Sequence, residues 1–425
     1  MNLSSVSTNL DSGEKSRAYI SLSVCMFAYF AAQAMSISLL SNWLKSTLGL
    51  TGEQTGIVFS ANFIGAMCTQ PLFGYLSDKV GIGRHVLLFL ALMVGGCGFF
   101  FVFVYEPLLQ TNLLAGAIVG GAYLGATFAT GSFALESFTD RVARRFGFEY
   151  SRVRLWGSLG FASAAFFSGS LFNRNPHINF FIASAMAVVM LAALASLKLR
   201  ASDTEKSASA SLRPGDALAV LRMPKFWGFM VLILGVTNLY LVYDQQFPIY
   251  YASQFATPQL GREMFGRLNS AQIFVEAGML FIAPFIVRAV GIKRSLLLAS
   301  GIMLVRIGGS GFVTGPILIS AMKMLHSLEL PILLVSVFAY IAAHFDSRLA
   351  STIFLVGYSF GHSLGLAVLS QVVGKGYDLF GFPHTYLMIA GVAAVFWGIS
   401  FFTLAPDPVA TVVPSEPNLK ALELP

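Results

Sequence analysis

Long apolar runs, each about the 20 residues a helix needs to cross a hydrocarbon core, follow one another along this chain and leave no room for a soluble fold. They fall near 19–44, 54–77, 86–106, 111–138, 152–173 and 177–199. After the polar stretch RASDTEKSASASLRPGD come six more, near 226–254, 263–290, 294–313, 315–343, 348–372 and 383–404. Only helices and closed barrels satisfy their backbone polar groups in lipid, and runs of this length are helical. The expected fold is therefore an all-α membrane protein, with twelve transmembrane helices in two six-helix bundles. The expected organisation is an N-terminal tail 1–18, a first bundle 19–199, a linker 200–225, a second bundle 226–404 and a C-terminal tail 405–425. Composition agrees: 56% of the 425 residues are hydrophobic and 11% charged, far from a soluble balance.

The net charge of +7 would suggest nucleic acid only if Lys and Arg shared one soluble face. Here they sit in short gaps between apolar runs, so no nucleic-acid partner is expected and membrane lipid is. The even-numbered gaps carry Lys79 and Arg84; Arg141, Arg144 and Arg145; Lys198 through Lys225; Arg288, Lys293 and Arg294; and Arg348. The odd gaps hold mainly Lys45, Arg174, Arg262 and Lys375. By the positive-inside rule the even gaps and both termini face the cytoplasm of a bacterial inner membrane. Cys25, Cys68 and Cys97 lie within apolar runs, too far apart for a metal site, and read as buried free thiols. The first apolar run is too long for a cleaved secretory signal and is expected to remain as a span.

The chain also repeats itself. Val80-Gly81-Ile82-Gly83-Arg84 follows the second span after Pro71, and Val290-Gly291-Ile292-Lys293-Arg294 follows the eighth after Pro284. The same gap of each half carries the match, which points to duplicated parallel halves. Between them, 217–222 is expected to form a short surface helix. Gly116, Gly120, Gly121 and Gly125 on the fourth span, with Gly357, Gly361 and Gly365 on the eleventh, have the small-xxx-small spacing of closely packed helices.

Ionisable groups at membrane depth are costly and so are functional candidates. They divide unequally: Glu136 and Arg154 in the first half; Asp244, Glu276, Arg306, Lys323, His326 and Glu329 in the second. On the tenth span Lys323, His326 and Glu329 recur every three residues and share one side of a helix. A carboxylate beside a histidine and near Arg306 could exchange a proton; a static ion-pair network that fixes packing is the other reading. Asp244 with Lys323 reads as a structural salt bridge between spans seven and ten.

Glu136 and Arg154 lie on neighbouring spans with opposite charges. A carboxylate that accepts from hydroxyls and a guanidinium that donates in a planar fork can together grip a polyhydroxylated ligand. Phe161, two turns beyond Arg154, could offer an apolar face to a sugar ring. The plainer alternatives are an ion pair at the cytoplasmic edge and a lipid-facing Phe161, and for Phe161 taken alone the lipid-facing reading is the better one. His362 on span eleven reads as a packing residue. No nucleophile, metal cluster or phosphate loop emerges, so neither an enzyme nor a cofactor is expected; the only coupling ion is the proton. A channel would also have polar spans, but has no reason to set an exchangeable carboxylate and histidine beside a sugar-type site.

These residues resemble the oligosaccharide:proton symporters of the major facilitator superfamily, whose members carry lactose, raffinose, melibiose or sucrose. GYLSDKVGIGR at 74–84 resembles the superfamily's loop motif. More specific are EPLLQTN at 106–112, ESFTDRVARRFGFEYSRVRLWGSLGF at 136–161, YDQQF at 243–247 and KMLHSLELP at 323–331. The resemblance implies that Glu136 and Arg154 bind sugar and that Arg306, His326 and Glu329 couple it to the proton. Glu329 would then be the main proton site, with His326 linking the two sites and Arg306 tuning the acid.

Departures from the pattern narrow the choice within the family. Where the lactose permease has its essential acid of span eight, this chain has Ile273; an acid follows one turn later at Glu276, as in the sucrose permease. Phe161 stands where the lactose permease stacks a tryptophan. Leu241 and His362 replace both partners of a second salt bridge, which leaves no buried charge alone. Ser132, one turn before Glu136, leaves space for a second sugar ring, and Gln33, Ser36 and Ser38 make the first span more polar than in either permease. The expected protein is a functional monomer that imports a disaccharide with a proton by alternating access, and resembles the sucrose permease most.

Overall fold

The computed structural model describes residues 12–80, 84–197, 220, 222–345, 353 and 360–407, with side chains at all of these but 12, 72, 74–80 and 84. The expected surface helix at 217–222, nearly all of the linker, most of both tails, Arg348, Gly357 and Gly81 to Gly83 of the repeat lie outside the described residues or nearly so.

Helices account for almost everything described. They are α1 (Gly13–Ser46), α2 (Gly52–Val80), α3 (His85–Thr111), α4 (Leu113–Phe146), α5 (Tyr150–Arg174), α6 (Pro176–Ser196), α7 (Pro224–Ser253), α8 (Pro258–Val290), α9 (Ile292–Phe312), α10 (Pro316–His344) and a 43-residue run, Gly361–Thr403. Among the described residues all but α2 are long and apolar enough to cross a membrane as they stand. α2 has the length, 29 residues, and the place of the second span. The long run is two spans. Gly381 has φ 75° and ψ 169°, a backbone that only glycine adopts freely, and it divides 361–380 (α11) from 382–403 (α12).

Local sequence explains where helices begin. Proline stands at the start of α6, α7, α8 and α10, where no helical N–H bond is lost. Side chains of Asn112, Asn175 and Thr257 accept from the first free N–H groups of α4, α6 and α8, at 3.1, 2.9 and 3.3 Å. Within the spans, wider π turns interrupt α3 at Phe100–Tyr105, α4 at Gly125–Thr130 and α7 at Ile233–Thr237. Each adds a residue to the turn and rotates the face presented beyond it. The turns in α4 and α7 come just before Glu136 and Asp244.

In the N-terminal bundle α1 packs on α5 and α6, and α2 on α4; in the C-terminal bundle α9 and α8 pack on α10. The bundles meet along α2 with α11 and α5 with α8. Among the described residues, the hydrogen bonds between bundles all lie at the end that holds the odd-numbered gaps. Both carboxylate oxygens of Asp378 on α11 accept from the first N–H groups of α2, Gly52 at 2.7 Å and Glu53 at 2.8 Å. Gln246 on α7 donates to the Gly52 carbonyl at 2.9 Å. A Cβ on Gly52 would lie 2.5 Å from the Gly374 carbonyl, so the approach of α11 requires glycine. Across the other seam Asn173 donates to Gln259 O at 2.8 Å and accepts from Arg262 Nε at 2.9 Å.

Two sequence expectations change. Cys25 and Cys97 are buried, but Cys68 is exposed. On α1, Ser36 and Ser38 turn their hydroxyls back onto their own helix, to Ala32 O at 2.9 Å and Ala34 O at 2.6 Å. Such back-bonding bends helices, and α1 breaks between Ile37 and Leu40. The third polar residue read there, Gln33, is half-buried.

Candidate functional site

Two groups of charges occupy the interior. In the N-terminal bundle Arg154, on the first turns of α5, donates from Nε to Glu136 Oε1 on α4 at 2.7 Å. Nη1 lies 3.4 Å from Ser158 Oγ. The two side chains remain 34% and 29% exposed, so a ligand can reach them. Ser132, one turn before Glu136, is half-buried and donates to Ala129 O at 3.0 Å. The ring over the guanidinium is that of Phe30 on α1, with its centroid 4.3 Å from Arg154 Cζ. Phe161 is half-buried and packs against the apolar core, so it does not face lipid alone.

The C-terminal bundle holds a largely buried network, in which Asp244 is the most exposed member at 19%. Arg306 on α9 is fully buried and donates in a fork to Asp244 on α7, Nη1 to Oδ1 at 2.9 Å and Nη2 to Oδ2 at 3.1 Å. Its Nη2 also lies 2.7 Å from Oε1 of Glu329 on α10, itself fully buried. Lys323 Nζ donates to Asp244 Oδ1 at 3.0 Å. His326 Nδ1 lies 2.9 Å from Glu329 Oε1 and 3.8 Å from Asp244 Oδ2. With both acids ionised and His326 neutral, two negative charges balance Arg306 and Lys323. Glu329 Oε2 is buried without a hydrogen-bond partner among the described residues. A proton placed there would not displace either contact of Oε1.

The expected pairing of Asp244 with Lys323 is present, but Asp244 is not a separate strut. It holds Arg306 as well, so the structural pair and the coupling set form one network. Reading helix by helix divides them, because residues on α7, α9 and α10 meet only in the folded bundle. Two tyrosines are missed for the same reason: the rings of Tyr243 and Tyr240 lie 4.8 and 5.6 Å from Arg306 Cζ. Tyr243 stands in the YDQQF stretch beside Asp244, and that adjacency is the signal the sequence offers.

Glu276 on α8 lies between the two groups. It is half-buried beside Gln272 and within electrostatic reach of His326, Lys323 and, across the bundle boundary, Arg154.

Two six-helix bundles around a partly open polar pair and a largely buried network of acids and cations have the build of a secondary transporter. Comparison with known proteins agrees. The nucleoside transporter NupG superposes with a TM-score of 0.78 over 92% of this chain and all of that one, at 15% identity, which gives the major facilitator fold. A bacterial homologue of the lysosomal transporter Spinster superposes at 0.66 over 93% of this chain and 98% of that one, at 11% identity. In sequence, the lactose permease of Klebsiella oxytoca is 39% identical over 85% of this chain and 88% of its own length. The sucrose permease of Escherichia coli is 36% identical over 92% and 95%. The raffinose permease of Escherichia coli is 36% identical over 90% and 91%. The family model of the LacY proton/sugar symporter matches residues 12–417. The chain belongs to that family: it is a multi-pass membrane permease that couples sugar to the proton, and not an enzyme.

Proposed function

We propose that this symporter imports a disaccharide, sucrose before lactose, melibiose or raffinose, with Glu136, Arg154 and Glu276 gripping the sugar and Glu329 carrying the proton. The observation that carries the reading is the contrast in access. The Glu136–Arg154 pair is about one-third open, whereas Arg306 and Glu329 are fully buried. Arg154 has five N–H donors, and Glu136 and Ser158 engage only two of its nitrogens, so donors remain for sugar hydroxyls. Ser132 leaves room for a second ring, and Phe161 offers an apolar face further along α5.

Coupling then has a physical route. Glu276 senses Arg154 on one side and His326 on the other, so a sugar that draws Glu276 toward itself alters the field at the partner of Glu329. Arg306 and His326 both lie against Oε1 of Glu329, and Lys323 with Asp244 keeps the remaining charge balanced. Both termini are cytoplasmic by the distribution of basic gaps, which puts the end tied by Asp378 and Asn173 outside. Every group named lies within one chain, so a monomer suffices.

The preference for sucrose rests on Glu276 in place of an acid at Ile273, and on the stretches YEPLLQTN at 105–112, LNSAQIFVEA at 268–277 and ESFTD at 136–140, which look closer to the sucrose permease than to the lactose permease. The test is proton-driven uptake of sucrose, lactose, melibiose and raffinose by the same cells. Saturable sucrose uptake that collapses with the proton gradient, and competes better than lactose, is expected. Good lactose uptake without sucrose uptake would overturn the sugar assignment; uptake indifferent to the gradient would overturn the coupling assignment.

A further inference from the structure

We propose that Phe30 of α1 is a positioning residue for sugar binding: its ring face braces the Arg154 guanidinium in the orientation the sugar requires. The proposal rests on Arg154 being a sugar ligand, and concerns what holds it ready.

A partly exposed arginine has many rotamers, and a ligand that needs one of them must bear the cost of selecting it. At least three contacts limit that freedom here. Glu136 takes Nε at 2.7 Å, Ser158 lies 3.4 Å from Nη1, and the Phe30 ring lies 4.3 Å from Cζ. The first two act at the edge of the guanidinium plane and leave it able to swing about them. Only the ring acts on the face, through attraction between the cation and the negative π cloud.

Its surroundings are built to keep it there. Phe30 is 7% exposed. Tyr29 meets it edge-on, with centroids 5.2 Å apart and planes at 90°. The Tyr29 hydroxyl donates toward Thr127 O and Phe128 O, at 2.9 and 3.0 Å, within the π turn of α4, where wider turns leave carbonyls to accept. Gly157, three residues after Arg154, completes the fit. A Cβ there would lie 2.6 Å from Phe30 Cδ2 and 3.0 Å from Arg154 Nη1, so any side chain would push the ring and the guanidinium apart. Further along the same seam Gly160 abuts the Phe27 backbone, which brings α1 close enough to α5 for the ring to reach. Helices α1, α4 and α5 thus form one rigid bracket around a single guanidinium.

The test separates ring electronics from packing. Position 30 of the full-length protein is filled with phenylalanine, then with its mono-, di- and trifluorinated analogues, which keep the shape and progressively weaken the negative face. Equilibrium binding is measured with sucrose, or with whichever of the four sugars the uptake panel selects. A graded loss of affinity is expected, about five- to twenty-fold at the trifluorinated ring, with the maximal rate of sugar exchange unchanged. Phe30→Leu should lose as much, and Gly157→Ala should weaken binding from the opposite side. Affinity that does not vary along the fluorinated series overturns the proposal, as does a series in which affinity and exchange rate fall together. Arg154→Lys distinguishes the two levels. Loss of binding in that variant with a flat fluorinated series removes the brace and leaves the sugar site standing; normal binding in Arg154→Lys removes the sugar site itself.

Discussion

The N-terminal bundle keeps the Glu136–Arg154 pair about one-third exposed, whereas the C-terminal bundle buries Arg306 and Glu329 completely, with Asp244, Lys323 and His326 mostly buried around them. With sugar assigned to the first group and the proton to the second, as proposed above, the difference follows from what each must release. A sugar is large and makes many hydrogen bonds, so its site must open, and Glu136 and Arg154 remain about one-third exposed. A proton needs only one unoccupied lone pair, and the buried Oε2 of Glu329 provides it. Burial also makes charge balance strict, since a lone ion in such surroundings is costly. The network therefore holds as many cations as acids, whereas the open pair tolerates a ligand inserted beside it.

The strongest attempt to break this contrast is Glu329→Gln, which should abolish uphill accumulation while exchange of internal for external sugar continues. Accumulation that persists would remove Glu329 from the mechanism. Simple misfolding could not preserve exchange, so the two readouts together isolate coupling.

Next in size is Asp244. It holds Arg306 by two hydrogen bonds and Lys323 by a third, so Asp244→Asn leaves two buried cations with one acid between them. Removing one partner from a buried pair costs about 3–5 kcal/mol, and thermal unfolding in detergent should show it. Lys323→Ala should cost clearly less, because Asp244 keeps its fork to Arg306. Equal losses from the two variants would mean that Asp244 is a simple strut to Lys323 and not the hub of a network.

In the open site Arg154→Lys keeps the charge but loses the planar fork. Sugar binding should weaken roughly ten- to a hundred-fold, the loss of a charge-assisted hydrogen bond or two, while the melting temperature stays near that of the parent. A large fall in stability would show that the pair is structural and would narrow the difference between the bundles.

The smallest effect sharpens the boundary itself. Glu276→Gln should weaken binding by less than about ten-fold, since an amide still accepts from a hydroxyl, though less strongly. Because Glu276 is the proposed link between the sugar and His326, coupling should weaken with it, read as a changed sugar-to-proton ratio. An unchanged ratio would remove Glu276 from the coupling route and leave it a sugar ligand alone.

Much of this is legible without coordinates. Spans of about 20 apolar residues dictate helices because lipid offers no other partner for the backbone. Charges within them stand out because they are costly there, and all eight read in the sequence lie in the interior groups or between them. Spacing by three on the tenth span places Lys323, His326 and Glu329 on one side correctly, since that stretch of α10 keeps near-helical periodicity.

The sequence could not determine which side chains meet across helices, because that depends on rotation and approach. The π turns of α4 and α7 each shift the face beyond them by one residue, so a 3.6-residue reading misplaces every later side chain on those helices. Periodicity along α5 places Phe161 two turns beyond Arg154 as an apolar face for a sugar ring, but gives no sign that Phe30, on another helix, lies over the guanidinium beside the space that Gly157 leaves. Asp244 reads as the partner of one cation and meets two, since α7, α9 and α10 converge on a single point. Composition and periodicity act along the chain and were sufficient to determine helices and buried charge. The partners of each charge depend on the packing of helices that lie far apart in sequence, and only the tertiary structure decided them.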